Sequence, residues 1–404
     1  MATIHYSEID GRSARFFALL ALLAVMVAGG LGAAWYMEHN GHYVTGMSNR
    51  IVWGVPHVFA VFLIVAASGA LNVASLASVF GRELYKPLAR LSGVLSITLL
   101  AGGLAVLVLD LGRPERLIVA MTYYNFKSIF AWNIFLYTGF FAIVAVYLWV
   151  MLERRMNAYS KPVGLLAFFW RLILTTGTGS IFGFLVARES YDSALYAPLF
   201  IIMSFAFGLA LFILVLMAAC GDARRALGDA VMLRLRTLLG QFVAAVMYFV
   251  VIYHLTNLYF TRRHDFEHFI LVDGGIYTAM FWVGQVLIGG ILPLALLFHP
   301  VWSRSRRAVA AASIGVILGG LAQIYVIIIG GQAYPLAIFP GKDVSSSAFD
   351  GVVATYAPSL PEVALGVGGM ALALILTAVA LKVLPLLPRS LSDSELAKVP
   401  PGNA

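Results

Sequence analysis

The stretch that decides the fold is Leu107-Val-Leu-Asp-Leu-Gly-Arg-Pro-Glu-Arg116. It closes an apolar run, Leu91 to Leu109, of about twenty residues, the length that crosses a bilayer as a helix. Gly112 and Pro114 predict that the helix ends here. The carboxylate of Asp110 and the charges after it therefore fall at a membrane-helix end, where such groups are costly and often functional. The simpler alternative is a helix terminus in which an arginine pairs with the aspartate.

The composition extends this interpretation to the whole chain of 404 residues. Hydrophobic residues make up 61% of it and charged residues 11%, and the mean hydropathy is +0.91. A soluble domain carries about 25% charged residues. The sequence therefore predicts an all-α, polytopic membrane protein. We attribute the net charge of +8 to basic cytoplasmic loops and expect no nucleic-acid partner.

Cysteine usage limits the cofactors that the chain could hold. Cys220 is the one cysteine, so no internal disulfide can form. A cysteine-ligated iron–sulfur cluster or a structural zinc site needs several thiolates, and we expect neither. We also predict that the first apolar run, 16–36, is a retained helix, because it is too long for a signal-peptide core and lacks a convincing cleavage site.

Ten stretches are long and apolar enough to span the membrane. They are 16–36, 51–80, 91–111, 128–152, 162–187, 194–220, 236–259, 274–298, 307–331 and 361–387. We treat 1–404 as a single integral membrane domain. Ten helices allow two four-helix bundles, expected roughly within 37–152 and 188–331, plus a flanking helix at each end. Small residues such as Gly102-Gly103 predict close helix packing in lipid. We expect a polar tail over 388–404, poorly ordered and cytoplasmic.

The loops predict the orientation. If the N-terminus is inside, the inner segments hold seventeen Lys and Arg and the outer loops hold eight. Basic residues accumulate in cytoplasmic loops. The bias therefore predicts a multi-pass protein of the cell inner membrane with both termini in the cytoplasm. Asp110 then lies at the outer face, as does the long irregular connection at about 332–360.

Polar residues gather at the predicted outer ends of the helices. Among them are His57, Asp110, Lys127, Trp132, Asn133, Arg188, Glu189, His254, Asn257, Gln323, Tyr325 and Gln332. Each alone is more often an interfacial anchor or a partner in an interhelical hydrogen bond. Together they suit a quinone head-group, because its ring oxygens need donors and its reduced form needs a base such as histidine or a carboxylate.

Alternatives remain open at this point. His57 and His254 could bind one b-type haem if they faced each other across one bundle. Arg171, inside the fifth stretch, could extend to the cytoplasmic headgroups or take part in a proton path. An ion or anion transporter would place its polar groups near mid-membrane instead. A protein that only anchors a partner would need no slot. No phosphate loop, HExxH or nucleophile elbow occurs.

The chain resembles the NrfD/PsrC family, the membrane subunits of polysulfide reductases. The resemblance rests on Leu109-Asp-Leu-Gly-Arg-Pro-Glu-Arg116, Trp53-Gly-Val-Pro-His57, Ser128-Ile-Phe-Ala-Trp132 and Ile329-Gly-Gly-Gln-Ala-Tyr-Pro335, and runs over essentially the whole chain. Within the family, the ten-helix length is most similar to the membrane subunit of the sulfite-reductase-associated complex.

The resemblance implies a subunit of a respiratory complex of sulfur or anaerobic metabolism, with menaquinone or ubiquinone as substrate and no haem, iron–sulfur cluster or metal in this chain. It implies a periplasmic, ferredoxin-like iron–sulfur partner and further membrane and haem subunits. The matching site residues are His57 and Asp110 with Arg113. We expect His57 to bond a quinone oxygen and Asp110, held by Arg113, to accept or donate the proton. Trp53 belongs to the matching motif, and nearby candidates are Tyr123, Tyr124 and Trp132.

Overall fold

A computed structural model describes residues 5–336 and 351–393, and helices dominate it. All ten predicted spans are confirmed within that part of the chain. In order, they are α1 (Ala14–Asn40), α2 (Val55–Ser78), α3 (Glu83–Leu109), α4 (Ile129–Leu152), α5 (Arg154–Gly183), α6 (Tyr196–Asp222), α7 (Asp229–Tyr259), α8 (Ile276–Phe298), α9 (Arg306–Ala333) and α10 (Leu360–Val383). Segments 337–350 and 394–404, which belong to the predicted outer connection and the predicted tail, lie outside the described residues.

Short elements connect the spans at their ends. They are the helices Leu117–Thr122 and His264–His268, the 3-10 turns His42–Val44, Pro114–Arg116, Thr261–Arg263 and Trp302–Arg304, and the strands β1 (Tyr6–Ser7) and β2 (Leu387–Pro388). Parts of α8 and α9, Met280–Ile291 and Val326–Gly330, are wound as π-helix. π-Helical segments are rare in proteins, and those that occur often lie at functional sites.

Eight of the spans form two four-helix bundles. In the first, α2, α3, α4 and α5 contact one another around a ring; in the second, α6, α7, α8 and α9 do the same. The first bundle therefore extends to Gly183, because α5 completes the ring beyond the predicted range of 37–152. The bundles meet where α2 crosses α6. A Cβ added at Gly69 would clash with the carbonyl of Ser204, so glycine permits this close crossing.

The two flanking helices lie side by side. α1 contacts α10 along its length, and Gly30 faces Gly368 at their crossing. α10 also contacts α3, where Thr98 and Thr377 share a hydrogen bond of 2.7 Å. The helices at the two ends of the sequence thus form one layer against the first bundle.

The first and last described segments of the chain meet at one end of the molecule. Tyr6 of β1 pairs with Pro388 of β2 in an antiparallel arrangement, and the Ile9 N–H donates to the Leu381 carbonyl over 3.0 Å. We call this the terminal end and the opposite end the Asp110 end. The described residues that precede α2, α4, α6, α8 and α10 lie at the Asp110 end, so polar groups far apart in sequence can meet there.

Candidate functional site

A carboxylate and a histidine meet at the Asp110 end of the first bundle. Asp110 caps α3, where its N–H donates to the Val106 carbonyl over 3.0 Å. His57 lies in the first turn of α2, next to Pro56, whose ring presets a helical backbone angle there. His57 Nδ1 and Asp110 Oδ2 are 2.9 Å apart. The side chain of Asp110 is 1% exposed and that of His57 is 18% exposed. A ligand can therefore reach the histidine, whereas the carboxylate lies behind it.

The pair is close without being an aligned hydrogen bond. Within the described chain, Nδ1 of His57 and both carboxylate oxygens of Asp110 are buried and lack an aligned partner. Catalytic hydrogen bonds are often poorly aligned before the substrate binds. A proton gained at Nε2 of His57 would turn the contact into an ion pair, which would favour histidine as a proton acceptor.

Aromatic side chains surround the histidine. The ring of Trp53 lies 6.3 Å from that of His57, 5.9 Å from Phe130 and 6.1 Å from Phe182, measured between centroids. The backbone of Trp53 is fixed as well. Gln332 at the end of α9 accepts from its N–H over 3.1 Å and donates to its carbonyl over 3.0 Å. This clamp explains why α2 begins at Val55 rather than at 51.

A second aromatic group opens α4. Tyr124 stacks on Phe135 with centroids 4.1 Å apart, and Trp132 Nε1 donates to the Phe126 carbonyl over 2.9 Å. Tyr123 is 83% exposed. Tyr124 and Trp132 both contact Phe135 and thus line one aromatic surface at the Asp110 end.

Arg188 supports the clamp from the loop between α5 and α6. Its guanidinium donates to the Gln332 carbonyl over 2.6 Å and to the Arg50 carbonyl over 2.9 Å. Burial lowers the pKa of Arg188, and the nearby Tyr191 opposes that shift. Arginine stays charged despite such a shift, so both of its hydrogen bonds remain charge-assisted. The loop before α2 is therefore held by groups from two other parts of the chain.

A buried glutamate fixes the start of α2 from the other side. Glu362, fully buried in the first turn of α10, accepts from the Tyr356 hydroxyl over 2.7 Å and from the Gly46 N–H over 2.8 Å. The same hydroxyl accepts from the Val55 N–H over 2.8 Å. Burial, followed by the hydrogen bond to Glu362, raises the pKa of Tyr356. The phenol therefore stays protonated and bridges α10 to the histidine-bearing helix.

Arg113 does not hold Asp110. Its side chain is exposed, and within the described residues the ionic partner of Asp110 is His57. The reason lies in the turn at Gly112, whose φ of +67° reverses the chain and separates the two side chains. A Cβ at Gly112 would lie 3.3 Å from Nε2 of His42, a nitrogen that is buried without a partner in the described chain. The loop histidine His42 is thus part of this region.

His254 lies in the second bundle, whereas His57 lies in the first. His254 on α7 contacts Glu267, whereas His57 on α2 contacts Asp110. The haem alternative required both histidines to face each other across one bundle, which this arrangement does not provide. Among the described residues, no group of three or more His, Cys, Asp and Glu side chains could hold a metal ion. That this chain carries no haem or iron–sulfur cluster stays a prediction.

Arg171 does not extend to the headgroups. It is fully buried in α5, where it donates to Asn72 Oδ1 over 3.0 Å and lies 5.0 Å from the Phe168 ring and 4.9 Å from the Phe205 ring. The two rings supply cation–π contacts in place of water. The alternative that the side chain reaches the membrane surface is wrong.

Sequence reasoning missed Glu362, Tyr356 and Glu267. Glu267 lies in the charged run Arg262-Arg-His-Asp-Phe-Glu-His268, which is typical of a solvated loop. A usable signal existed for Glu362, because Ser359 and Glu362 have the spacing of a capping box, and the Ser359 N–H donates to Glu362 Oε2 over 2.8 Å. The spacing predicts a helix start, but it does not predict burial.

The fold and the site define a class of protein: an integral membrane protein with ten described spans, two four-helix bundles and a carboxylate–histidine pair at one end of the first bundle. The sequence pattern of the polysulphide reductase NrfD family matches residues 43–336. The chain belongs to that family.

Three curated relatives cover almost the whole chain. It is 29% identical over 388 residues to the Hdr-like menaquinol oxidoreductase integral membrane subunit of Archaeoglobus fulgidus, covering 95% of this chain and 97% of that protein. It is 27% identical to a putative membrane subunit of the dimethyl sulfoxide reductase of Halobacterium salinarum, covering 91% of each. It is 23% identical to a subunit of the selenate reductase of Mesobacillus selenatarsenatis, covering 92% of this chain and 93% of that protein.

Proposed function

We propose that this protein is the quinone-reactive membrane subunit of an anaerobic respiratory complex. The observation that carries the proposal is the His57–Asp110 pair, in which a partly exposed imidazole is backed by a buried carboxylate. A hydroquinone that becomes a quinone loses two protons and two electrons. The protein must supply a base for the protons, and a separate carrier must take the electrons.

His57 is the group that we assign to the ring oxygen. When neutral, it can donate Nδ1–H toward Asp110, which leaves Nε2 as an acceptor for a hydroquinone O–H. The proton that moves to Nε2 gives an imidazolium ion 2.9 Å from the carboxylate, which stabilises its charge. Asp110 is then a positioning residue, because both of its oxygens are buried. In the reverse direction, the imidazolium returns the proton to the quinone.

The remaining predicted residues receive supporting roles. Trp53 borders the histidine, and the aromatic surface of Tyr124 and Trp132 offers flat apolar contacts for a quinone that enters from lipid. Arg113 and Tyr123 are exposed at the same end and suit contact with a partner subunit rather than with the ring.

The relatives support the identity of the substrate and the need for partners. One of them is named as a menaquinol oxidoreductase membrane subunit, and the other two are named as subunits of reductases. We propose that menaquinone or ubiquinone is the substrate and that an iron–sulfur subunit docks at the Asp110 end, on the outer face of the inner membrane, to exchange the electrons. Further membrane and haem subunits would complete the complex, and a role in sulfur metabolism follows the family name.

A photoreactive quinone tests the proposal directly. In the assembled complex, an azidoquinone should label peptides that contain 53–57 or 123–135, and unlabelled quinol should compete with it. The same complex should transfer electrons from quinol to an external acceptor. Labelling confined to the second bundle, or transport of an ion without quinol turnover, would contradict the proposal.

A further inference from the structure

A second carboxylate–histidine pair lies in the other bundle. We infer that His254 and Glu267, with the cavity beside them, form a buried site that binds water and holds a proton shared between the two side chains. The site does not depend on the quinone chemistry proposed above. It is separated from His57 by its place in the second bundle, where α7 carries His254 and the short helix His264–His268 carries Glu267.

The glutamate is fully buried and well bonded. His254 Nδ1 lies 2.6 Å from Glu267 Oε2, and Asn257 Nδ2 donates to Glu267 Oε1 over 2.7 Å. Unlike the His57 contact, this one has the alignment of a hydrogen bond. A proton between Nδ1 and the carboxylate is therefore held at a defined position.

No arginine or lysine contacts the Glu267 carboxylate directly among the described residues. Arg263 reaches Asn257 Oδ1 over 2.9 Å rather than the carboxylate itself, and it also lies 3.7 Å from the carboxylate of Asp192. A buried carboxylate beside a neutral histidine leaves one negative charge that burial disfavours. One further proton, on His254, would make the pair neutral overall. Tyr196 and Tyr253 interact electrostatically with Glu267, and in the adjoining loops Glu189 interacts with Arg262, Arg263 and Asp265.

A cavity of about 30 Å³ lies against His254. One water needs roughly 10–15 Å³ of such space, so the cavity accommodates about two. It is far too small for a quinone ring, because pockets for ligands of that size have volumes of roughly 300–1,000 Å³. A second cavity of about 10 Å³ shares Gln285 and Gln323 with the first and leads further along α9.

Polar groups that could bind water line the cavity. Nε2 of Gln323 is buried and has no hydrogen-bond partner in the described chain, although the amide borders both cavities. The hydroxyls of Tyr196 and Tyr253 lie 3.0 Å apart at the same cavity, and each lies 2.7 Å from the Ser190 carbonyl oxygen. Polar cavities with several partners hold ordered water, whereas apolar ones stay dry. Water here would satisfy Gln323 and connect it to the pair.

Nuclear magnetic resonance of the full chain in nanodiscs, without partners or quinone, tests the shared proton. With ¹⁵N-labelled histidine, we expect a strongly downfield Nδ1–H resonance that is absent in Glu267→Gln and in His254→Asn. The matched control is Glu115→Gln, which makes the same chemical change at an exposed glutamate. Asp110→Asn should leave the resonance in place. A missing resonance in the unmodified chain, or one that persists in Glu267→Gln, would overturn the site.

Gln323→Met tests the water. If water bonds the amide, the substitution removes a satisfied group and the melting temperature falls. If the cavity is dry, the amide is an unsatisfied buried donor, so its removal raises the melting temperature and refutes the hydrated site. Gln241→Met is the control, because Gln241 is exposed on α7.

Discussion

His57 Nδ1 and Asp110 Oδ2 lie 2.9 Å apart, and only the histidine side of the pair is open to a ligand. The start of one membrane helix meets the end of another there, since His57 lies in the first turn of α2 and Asp110 caps the end of α3. The negative end of the α3 dipole disfavours an unpaired carboxylate, whereas the positive end of α2 favours one. The packing of the two helix ends thus keeps a carboxylate buried behind a base.

The first prediction concerns this pair. Asp110→Asn keeps the shape and removes the charge that stabilises protonated His57, so it should leave the complex assembled and lower quinone-coupled electron transfer by up to about ten-thousandfold, the scale of losing an aspartate that orients a catalytic histidine. His57→Asn should lower turnover by a similar order. Because Asp110 acts through His57, its substitution should also change the pH profile of kcat while KM changes little.

Matched controls come from the same end of the molecule. His39→Asn and Asp273→Asn alter exposed residues and should leave turnover unchanged. His42 is not a suitable control, although it lies in a loop, because its Nε2 is buried beside Gly112. If Asp110→Asn kept full turnover in an assembled complex, Asp110 would have no role in turnover and would serve only to end its helix.

Gln332 should act as a positioning residue. Gln332→Met removes the acceptor of the Val52 and Trp53 N–H groups and the donor to the Trp53 carbonyl. The loop before α2 would then be less ordered, so we expect KM for quinol to rise more than kcat falls. Steady-state kinetics of the complex would measure both. Gln241→Met should change neither value, and an unchanged KM in Gln332→Met would show that the clamp does not order the site.

Tyr356 should stabilise the fold at the start of α2. Tyr356→Phe leaves the Val55 N–H without its acceptor and Glu362 without one donor. Leaving such buried groups unsatisfied costs roughly 1–3 kcal/mol in the free energy of unfolding. Thermal unfolding in detergent should show the loss. Tyr43→Phe, at a position 82% exposed, should not. Equal stability of the two variants would mean that water replaces the hydroxyl of Tyr356.

Glu189 should make stability depend on pH. Burial raises the pKa of Glu189, and Asp265 adds to the shift while Arg262 and Arg263 oppose it. A raised carboxyl pKa means that the folded state binds the proton more tightly than the unfolded state. Its contribution is therefore greatest at low pH and is lost as pH rises through the folded pKa.

Glu189→Gln replaces the ionisable carboxyl group with a neutral amide, so the loss of stability with rising pH disappears. The variant should be more stable than the unmodified protein at neutral pH, and the difference should vanish in acid well below the ordinary pKa of glutamate. Melting temperatures measured across pH would show the two curves converging. Glu38→Gln, at an exposed glutamate of α1, should run parallel to the unmodified protein. Parallel curves for Glu189→Gln would indicate that the carboxylate is solvated.

The orientation is testable with reporters. Fusions after residues 85, 157, 230 and 304 should report the cytoplasm, because their loops carry most of the Lys and Arg residues. Fusions after 115 and 264, at the Asp110 end, should report the outer side. An outer signal at 157 or 230 would reverse the orientation. The antiparallel pairing of β1 with β2 requires only that both termini share a side, so it would survive either result.

The sequence by itself determined the membrane class and the number of spans. Hydropathy carries this information because each helix must satisfy its own backbone hydrogen bonds in lipid, which makes every span a local, continuous apolar segment. It also placed His57, Asp110 and Trp53 in one site through the family motifs. Helix ends were less exact. α2 begins at Val55 because a glutamine from α9 occupies the preceding backbone groups.

Only the tertiary structure decided which charges pair. Neighbours in sequence suggested Arg113 for Asp110, but the turn at Gly112 sends the arginine outward and helix packing brings in His57 from 53 positions away. Glu362 and Glu267 look like surface glutamates in the sequence, yet both are fully buried. Burial depends on what the rest of the chain places over a residue. A buried carboxylate needs partners from several helices, and no local pattern encodes them.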